Sequence, residues 1–266
     1  MDSLVPFPAD SSPALSGSHR RVSPSEVLDL LEERIARTLA DGGRPLVVYD
    51  LDATLFDNRP RVLRILQDLA EEDATLDERT RALVKSIPLD RIRYRVADTL
   101  RAAGLTDPAL LERFQEGWWK RFFTNEYVVF DLPTPGSVEF VRRVAEFGGT
   151  TIYLTGRDTP GMSRGTLSSL IKHGFPVPDD RGTILITKPT FEQPDMEYKR
   201  EAVARLREIG RPVGLFDNEP KPLNVLVRGF PEALAVFLDT MHSPDVEPLE
   251  PGVLVMGSFV ADTSRN

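Results

Sequence analysis

None of the 266 residues is cysteine, so disulfides and thiolate metal sites are excluded. Imidazole is scarce as well: only His19, His173 and His242 could supply it, so a bound metal is expected to take oxygen ligands. Long apolar runs are missing; none approaches the length of a membrane span. An excess of positive charge is missing too. The formal net charge is -8, which gives no global attraction to nucleic acid or to an anionic membrane surface. The opening stretch, residues 1 to 21, lacks the continuous apolar segment of a signal peptide, so a cytoplasmic protein is expected. Its richness in Ser, Pro and Ala reads as a disordered lead-in over residues 1–22.

What remains is a chain that is 41% hydrophobic, enough for one large core or a core with a smaller inserted domain. Order is expected from "SPSEVLDLLEERIARTLADGG" onward. Ser23 and Glu26 form a capping-box pair, Pro24 suits the first helical position, and Val27, Leu31, Ile35 and Leu39 make one stripe. The next run, "PLVVYDL", is too short for a helix and reads as a buried strand with Asp50 at its carboxyl end. Residues 59–132 then change character. Val62, Ile65, Leu66 and Leu69 share a helical face, Ile92, Val96 and Leu100 repeat the spacing, and Leu110, Phe114, Trp118 and Phe122 stack at four-residue intervals, a stripe that packs helices together. From Leu132 the pattern alternates helices with the short apolar runs "TIYLTG", "TILIT", "PVGLFDN" and "AVFLDT", which predicts a parallel sheet covered on both faces. The expected organisation is therefore an α/β core begun by residues 23–58, an all-helical insertion over 59–132, and the rest of the core over 133–266.

Ligands of open α/β sheets bind at the carboxyl ends of strands, and those ends are polar here. The first delivers Asp50 and Asp52, the "TIYLTGRD" strand delivers Thr155, Gly156, Arg157 and Asp158, and "VGLFDNEP" delivers Asp217, Asn218 and Glu219. Two carboxylates about 4 Å apart repel by roughly 4 kcal/mol at an effective dielectric near 20, so the Asp50/Asp52 pair calls for a compensating cation. Carboxylates from two strand ends, with a hydroxyl and a glycine amide from a third, suit Mg²⁺ bound together with a phosphate. Each acid taken singly is explained as well by a turn or a helix cap.

In that order, "DLDATLFDN", "YLTG", a lysine before a helix and "LFDNEP" resemble the four motifs of the haloacid dehalogenase superfamily, over residues 44 to about 240. The resemblance implies a Rossmann-like parallel sheet, the helical insertion standing where that family has its first cap domain. It also implies a Mg²⁺-dependent phosphatase acting on a small phosphorylated molecule. Asp50 would be the nucleophile that forms an aspartyl-phosphate, and Asp52 the general acid and base. Thr155 and the Gly156 amide would hold phosphoryl oxygens, with Arg157 beside the substrate. Mg²⁺ would be bound by Asp50, the main-chain carbonyl of Asp52, and Asp217. The third-motif lysine is Lys199 or Lys188; Lys199 is favoured because a cation in a helix's first turn opposes the dipole. The fourth motif departs from the commonest pattern, since Asn218 follows Asp217, leaving Glu219 or Asn224 to support the metal. Arg157 could equally pair with Asp158, and Trp118, Trp119 and Arg121 could line the approach or pack the core.

Two other readings compete. "GMSRG", residues 161–165, matches the G-x-S-x-G elbow of serine esterases, with Ser163 as nucleophile and His173 or His242 as base. The elbow needs its serine directly at a strand-to-helix turn, and here Arg157 to Pro160 intervene. The other is a regulatory protein of the same fold that holds a phosphorylated ligand without turnover.

Overall fold

The short apolar runs are strands, and their alternate residues serve two cores. In the computed structural model, which describes residues 19–179 and 182–260, β1 (Pro45–Tyr49) lies beside β4 (Thr150–Asp158) and β6 (Arg211–Asp217). β5 (Ile184–Lys188) flanks β4, while β7 (Leu234–Leu238) and β8 (Leu254–Met256) extend the far side, giving a parallel six-stranded sheet of order β5-β4-β1-β6-β7-β8. Val47 and Tyr49 point to the face covered by α1 (Pro24–Ala40) and α7 (Ser137–Glu146). Leu46 and Val48 point to the face covered by α9 (Asp195–Ile209) and α10 (Pro220–Gly229). Burial on both sides is why these strands read as unbroken apolar runs rather than alternating ones. Among the described residues no helix is long and apolar enough to cross a membrane.

Between β1 and α7 the chain builds a second, all-helical core. The elements α2 (Arg59–Glu72), α3 (Glu78–Lys85), α4 (Val96–Ala103) and α5 (Pro108–Phe122) gather Val62, Leu66, Val84, Val96, Leu100 and Phe114 into one cluster, and the short α6 (Asn125–Val128) follows them. The chain leaves the sheet through β2 (Phe56–Asp57) and returns through β3 (Leu132–Pro133), and these two pair antiparallel with each other.

The structure corrects four expectations. Of the lead-in, residues 1–18 lie outside the described residues. Within it, residues 19–22 are placed along β8: Val22 N–H donates to the Val255 carbonyl at 3.0 Å and the Val255 N–H to that of Arg20 at 3.0 Å. Strand β8 itself was not expected, because a three-residue strand within the short run between Gly252 and Gly257 leaves no periodicity to read. Ile92 does not share a helix with Val96; a 3₁₀ turn ends at Arg91, and the Arg93 N–H goes to Thr99 Oγ1 at 2.9 Å instead of to a helical carbonyl. Leu39 is 46% exposed, and Thr38 takes the inward position while its hydroxyl bonds back to the Arg34 carbonyl.

Candidate active site

The turn after β1 fixes where Asp50 and Asp52 point. Its N–H groups at Thr54 and Phe56 both donate to the Leu51 carbonyl, which drives Ala53 to φ +54°, a left-handed conformation that costs a residue with a Cβ roughly 1 kcal/mol. Three hydroxyls hold it there. Thr240 Oγ1 donates to the Ala53 carbonyl at 2.6 Å, Thr134 Oγ1 to that of Thr54 at 2.8 Å, and Thr54 Oγ1 to Asn218 Oδ1 at 3.0 Å.

Asp50 meets a cation from the far side of the sheet. Lys199, in the first turns of α9, donates from Nζ to Asp50 Oδ1 at 3.0 Å, to Asp217 Oδ2 at 3.2 Å and to the Leu154 carbonyl at 3.1 Å. Three adjacent strand ends are thus tied by one ammonium group. Lys188 is placed elsewhere, 2.8 Å from Asp195. Burial pushes the Asp50 carboxyl above the ordinary range against the pull of Lys199, and Asp217 adds to the rise. Burial likewise raises Glu219, to about 8, although it accepts the Ser243 N–H at 2.9 Å. For Lys199, burial works against the charge, but Asp217 and Asp50 outweigh it and raise the ammonium. Thr155 is fully buried at the end of β4 and its hydroxyl accepts the Arg157 N–H at 3.2 Å, while Gly156 faces the cavity described below.

Asp52 turns away from Asp50's lysine into a different set of charges. Arg157 donates from Nε to Asp52 Oδ2 at 2.8 Å and from Nη2 to Oδ1 at 3.2 Å, and Arg61 Nη2 also donates to Oδ1. Both guanidinium groups reach a fully buried acid as well: Arg61 makes a two-pronged contact to Asp131, 2.8 Å on each prong, and Arg157 reaches it at 2.7 Å. Burial would raise Asp52, but Arg157 and Arg61 outweigh it and hold the carboxyl below the usual carboxylate range. Asp131 is pushed up to about 6 by burial, which the same two arginines only partly offset. Arg61 and Asp131 were not recognised in the sequence. Arg157 pairs with Asp52 and Asp131, not with Asp158, whose side chain instead caps α8 (Thr159–His173) by accepting the Gly161 N–H at 2.7 Å.

Between the helical insertion and the strand ends lies a cavity of about 810 Å³. Its floor includes Asp50, Asp52, Gly156, Arg157, Lys199, Asp217 and Glu219. Its wall from α5 carries Trp118, Trp119 and Phe122, continued by Phe123 just after the helix. The aromatic stripe therefore divides: Leu110, Phe114, Trp118 and Phe122 pack on the helical core as expected, while Trp119, off the stripe, remains 53% exposed toward the cavity. Arg121 points elsewhere and pairs with Glu72 at 2.5 Å. Asn218 is committed to Thr54 and to the Met241 carbonyl, and Asn224 to Glu247, Pro248 and Glu250. Of the proposed outer ligands, Glu219 is the one at the cavity.

The "GMSRG" motif has a packing explanation. Ser163 sits inside α8 with its hydroxyl donated to the Thr159 carbonyl at 2.6 Å, so it is not at a strand-to-helix turn. A Cβ at Gly165 would meet Val128 Cγ1 at 2.3 Å and the Asn125 carbonyl at 2.6 Å, and one at Gly161 would meet the Phe123 carbonyl at 2.9 Å. The glycines let α8 approach the segment that closes the insertion. His242 has its Nδ1 2.8 Å from the Ser243 carbonyl and its ring 5.8 Å from that of Phe237, and the His173 ring packs edge-on at Phe56.

A divalent, oxygen-loving cation fits the floor. Asp50 and Asp217 converge on one lysine, and Glu219 lines the same cavity, so the carboxylates outnumber the one ammonium group that meets them. Among the described residues no three carboxylates or imidazoles form a protein-only cage. Such a sparse set suits Mg²⁺, which keeps waters and takes one or two carboxylates together with a phosphate.

No protein-family model matches the chain, and no curated protein matches it. Solved structures do resemble it. A presumed phosphatase from Clostridium difficile is 10% identical, with a TM-score of 0.52 over 81% of this chain and 94% of its own. A haloacid dehalogenase-like family hydrolase from Streptococcus pneumoniae is 9% identical over 81% of this chain and 95% of its own, with a TM-score of 0.48. The class C acid phosphatase from Bacillus anthracis is 18% identical, with a TM-score of 0.42 over 75% of this chain; the match spans 62% of that protein's length. The likeness to the first shows the fold: a Rossmann-like parallel sheet flanked by helices, as in the haloacid dehalogenase architecture that the motif order implies.

Proposed function

We propose that the chain is a Mg²⁺-dependent phosphatase acting on a small phosphorylated molecule through an aspartyl-phosphate at Asp50. The observation that supports it most is the convergence of Asp50 and Asp217 on Lys199 at three neighbouring strand ends, opening onto a cavity large enough for a substrate. In this reading a carboxylate oxygen of Asp50 forms a bond to phosphorus, the bond from phosphorus to the leaving alkoxide breaks, and the alkoxide takes a proton. Water, giving a proton to the Asp52 carboxylate left by the first step, then attacks the same phosphorus, the bond to Asp50 breaks, and inorganic phosphate leaves. Lys199 has two tasks: it keeps Asp50 ionised against the cost of burial, and it offers positive charge to the phosphoryl oxygens. Thr155 and the Gly156 N–H flank the phosphoryl position at the end of β4. The Asp50 and Asp217 carboxylates and the Asp52 main-chain carbonyl would hold Mg²⁺, whose charge draws electron density from the phosphoryl group.

Asp52 is the proton donor this reading assigns, yet in the structure it is an ionised carboxylate gripped by Arg61 and Arg157. Protonating a leaving group requires that grip to loosen when substrate enters. The same grip favours a second reading, in which Asp50 accepts a phosphoryl group and releases it slowly, so that the protein binds or signals rather than turns over. Phosphate release across a panel of phosphorylated metabolites, with Mg²⁺ and with a chelator, separates the two. Turnover that needs Mg²⁺ and vanishes in Asp50→Asn supports the phosphatase. Stoichiometric labelling without turnover supports the second reading, and turnover that survives Asp50→Asn refutes both.

A further inference from the structure

Resting on the phosphatase reading for the position of the phosphoryl group, we infer that the rest of the cavity is built for a leaving alcohol that carries a heteroaromatic ring. Three aromatic side chains from α5, and Phe123 just after it, line it, and they are not alike in what they do. Trp118 and Phe122 also pack on the helical core, but Trp119 is not part of that core. Its indole is held edge-on by Phe123, with ring centres 5.0 Å apart at 68°, and by Phe191, 5.8 Å away at 75°. Neighbours that contact a ring at steep angles fix its orientation without covering it as a stacked partner would. Trp119 as a residue remains 53% exposed, although soluble proteins usually bury this residue type. A rigid, oriented and uncovered indole beside a phosphate site is a stacking platform.

Hydrogen bonding adds an independent argument for a ring with heteroatoms. The cavity wall also carries Asn58, Tyr94, Arg95 and Gln115, side chains that offer both donors and acceptors. A few polar groups in a mostly apolar pocket fix a ligand's orientation and give specificity. A ring with heteroatoms can meet such groups, which a plain hydrocarbon ring cannot do. The volume agrees: about 810 Å³ falls within the range of pockets that enclose drug-sized ligands, well beyond what a phosphate with a three-carbon alcohol fills.

The test uses substrates whose leaving groups are all primary alkoxides, so that intrinsic reactivity cancels: adenosine and uridine 5′-monophosphates, ribose 5-phosphate, 2-(1-naphthyl)ethyl phosphate and butyl phosphate. The expected kcat/KM order places the nucleotides first, the naphthyl ester next, and ribose 5-phosphate and butyl phosphate last. The ratio of nucleotide to ribose 5-phosphate should be about tenfold to a hundredfold, the size of one base stacked on an aromatic side chain. In Trp119→Ala that ratio should fall toward one. A naphthyl ester that beats both nucleotides would overturn the heteroatom argument, and equal values across the set would overturn the aromatic one.

Binding provides a readout that survives failure of the phosphatase reading. The chain has two tryptophans, both in this wall, so intrinsic fluorescence reports the site directly. Adenosine 5′-monophosphate should quench it saturably in the Asp50→Asn protein, at least tenfold more tightly than ribose 5-phosphate competes. If nothing is hydrolysed but this quench is seen, the phosphatase reading falls and the aromatic subsite stands. If turnover is seen with no discrimination and no saturable quench, the aromatic subsite falls alone.

Discussion

Replacing Arg61 with methionine should remove a large part of the protein's stability, and removing Asp131 at the same time should restore most of it. Arg61, Arg157, Asp52 and Asp131 form a cluster whose formal charge sums to zero, with Arg61 and Asp131 fully buried. Arg61→Met leaves two carboxylates to share one guanidinium. At an effective dielectric near 20, one charge pair about 4 Å apart is worth roughly 4 kcal/mol, and removing one partner of a buried pair typically costs about 3–5 kcal/mol. The lost bond to the Phe122 carbonyl, 3.1 Å from Arg61 Nη1, adds to this. Total stabilities of about 5–15 kcal/mol leave little beyond that, and the melting temperature should drop by about 10 °C. In Arg61→Met/Asp131→Leu the charge balance returns, Arg157 keeps Asp52, and two apolar side chains occupy the buried space. A double-mutant cycle read from denaturant midpoints should therefore give a coupling above about 2 kcal/mol. Arg61→Met within about 1 kcal/mol of the wild type, or a double variant no more stable than the single one, would refute the argument.

Three other outcomes follow from the geometry. Ala53→Gly should leave stability unchanged or raise it by up to about 1 kcal/mol, because relief at φ +54° competes with greater chain entropy, whereas Ala53→Val should cost more than about 1 kcal/mol; urea midpoints at constant slope decide it. Gly165→Ala should destabilise by about 1–3 kcal/mol, since its Cβ would lie 2.3 Å from Val128, and a thermal melt indistinguishable from wild type would show that α6 can retreat. Lys199→Met should slow turnover by about 10²-fold or more, while Lys188→Met should change it by less than about tenfold; the reverse order would transfer the role to Lys188.

How far the sequence could be read depended on the distance over which each residue finds its partners. The strand ends were legible because an apolar run that ends in Asp or in Thr-Gly is a local pattern, and the order of those ends with a lysine before a helix narrowed the fold. Arg61 was not legible. It stands next to Val62 on a helix whose stripe looks ordinary, and its acids are 9 residues back, across a turn, and 70 residues ahead, so no helical spacing distinguishes it from a solvated surface arginine. For Arg157 the neighbouring Asp158 suggested a partner, but the sharp turn into α8 uses Asp158 as a cap and leaves the guanidinium to acids 105 and 26 residues distant. Trp119 was legible in part. The sequence left it two uses, lining the approach or packing the core, and only the placement of the insertion over the sheet shows which of the two it takes.

The pairing of β2 with β3 has a consequence for how such a chain can change. Asp57 lies opposite Leu132 across a two-residue ladder, so the point where the helices begin and the point where they end are about 5 Å apart. To the sheet, the whole helical block is equivalent to a tight hairpin loop. Lengthening a loop whose ends already meet adds only about 0.6 kcal/mol of closure entropy per doubling. A different helical block could therefore be transplanted onto the same two strands without moving Asp50, Asp217 or Lys199, exchanging one ligand wall for another over an unchanged floor. The graft has one obligation: it must bring a cation to the place of Arg61, because Asp131 sits at the junction and would otherwise be buried with half its partners gone.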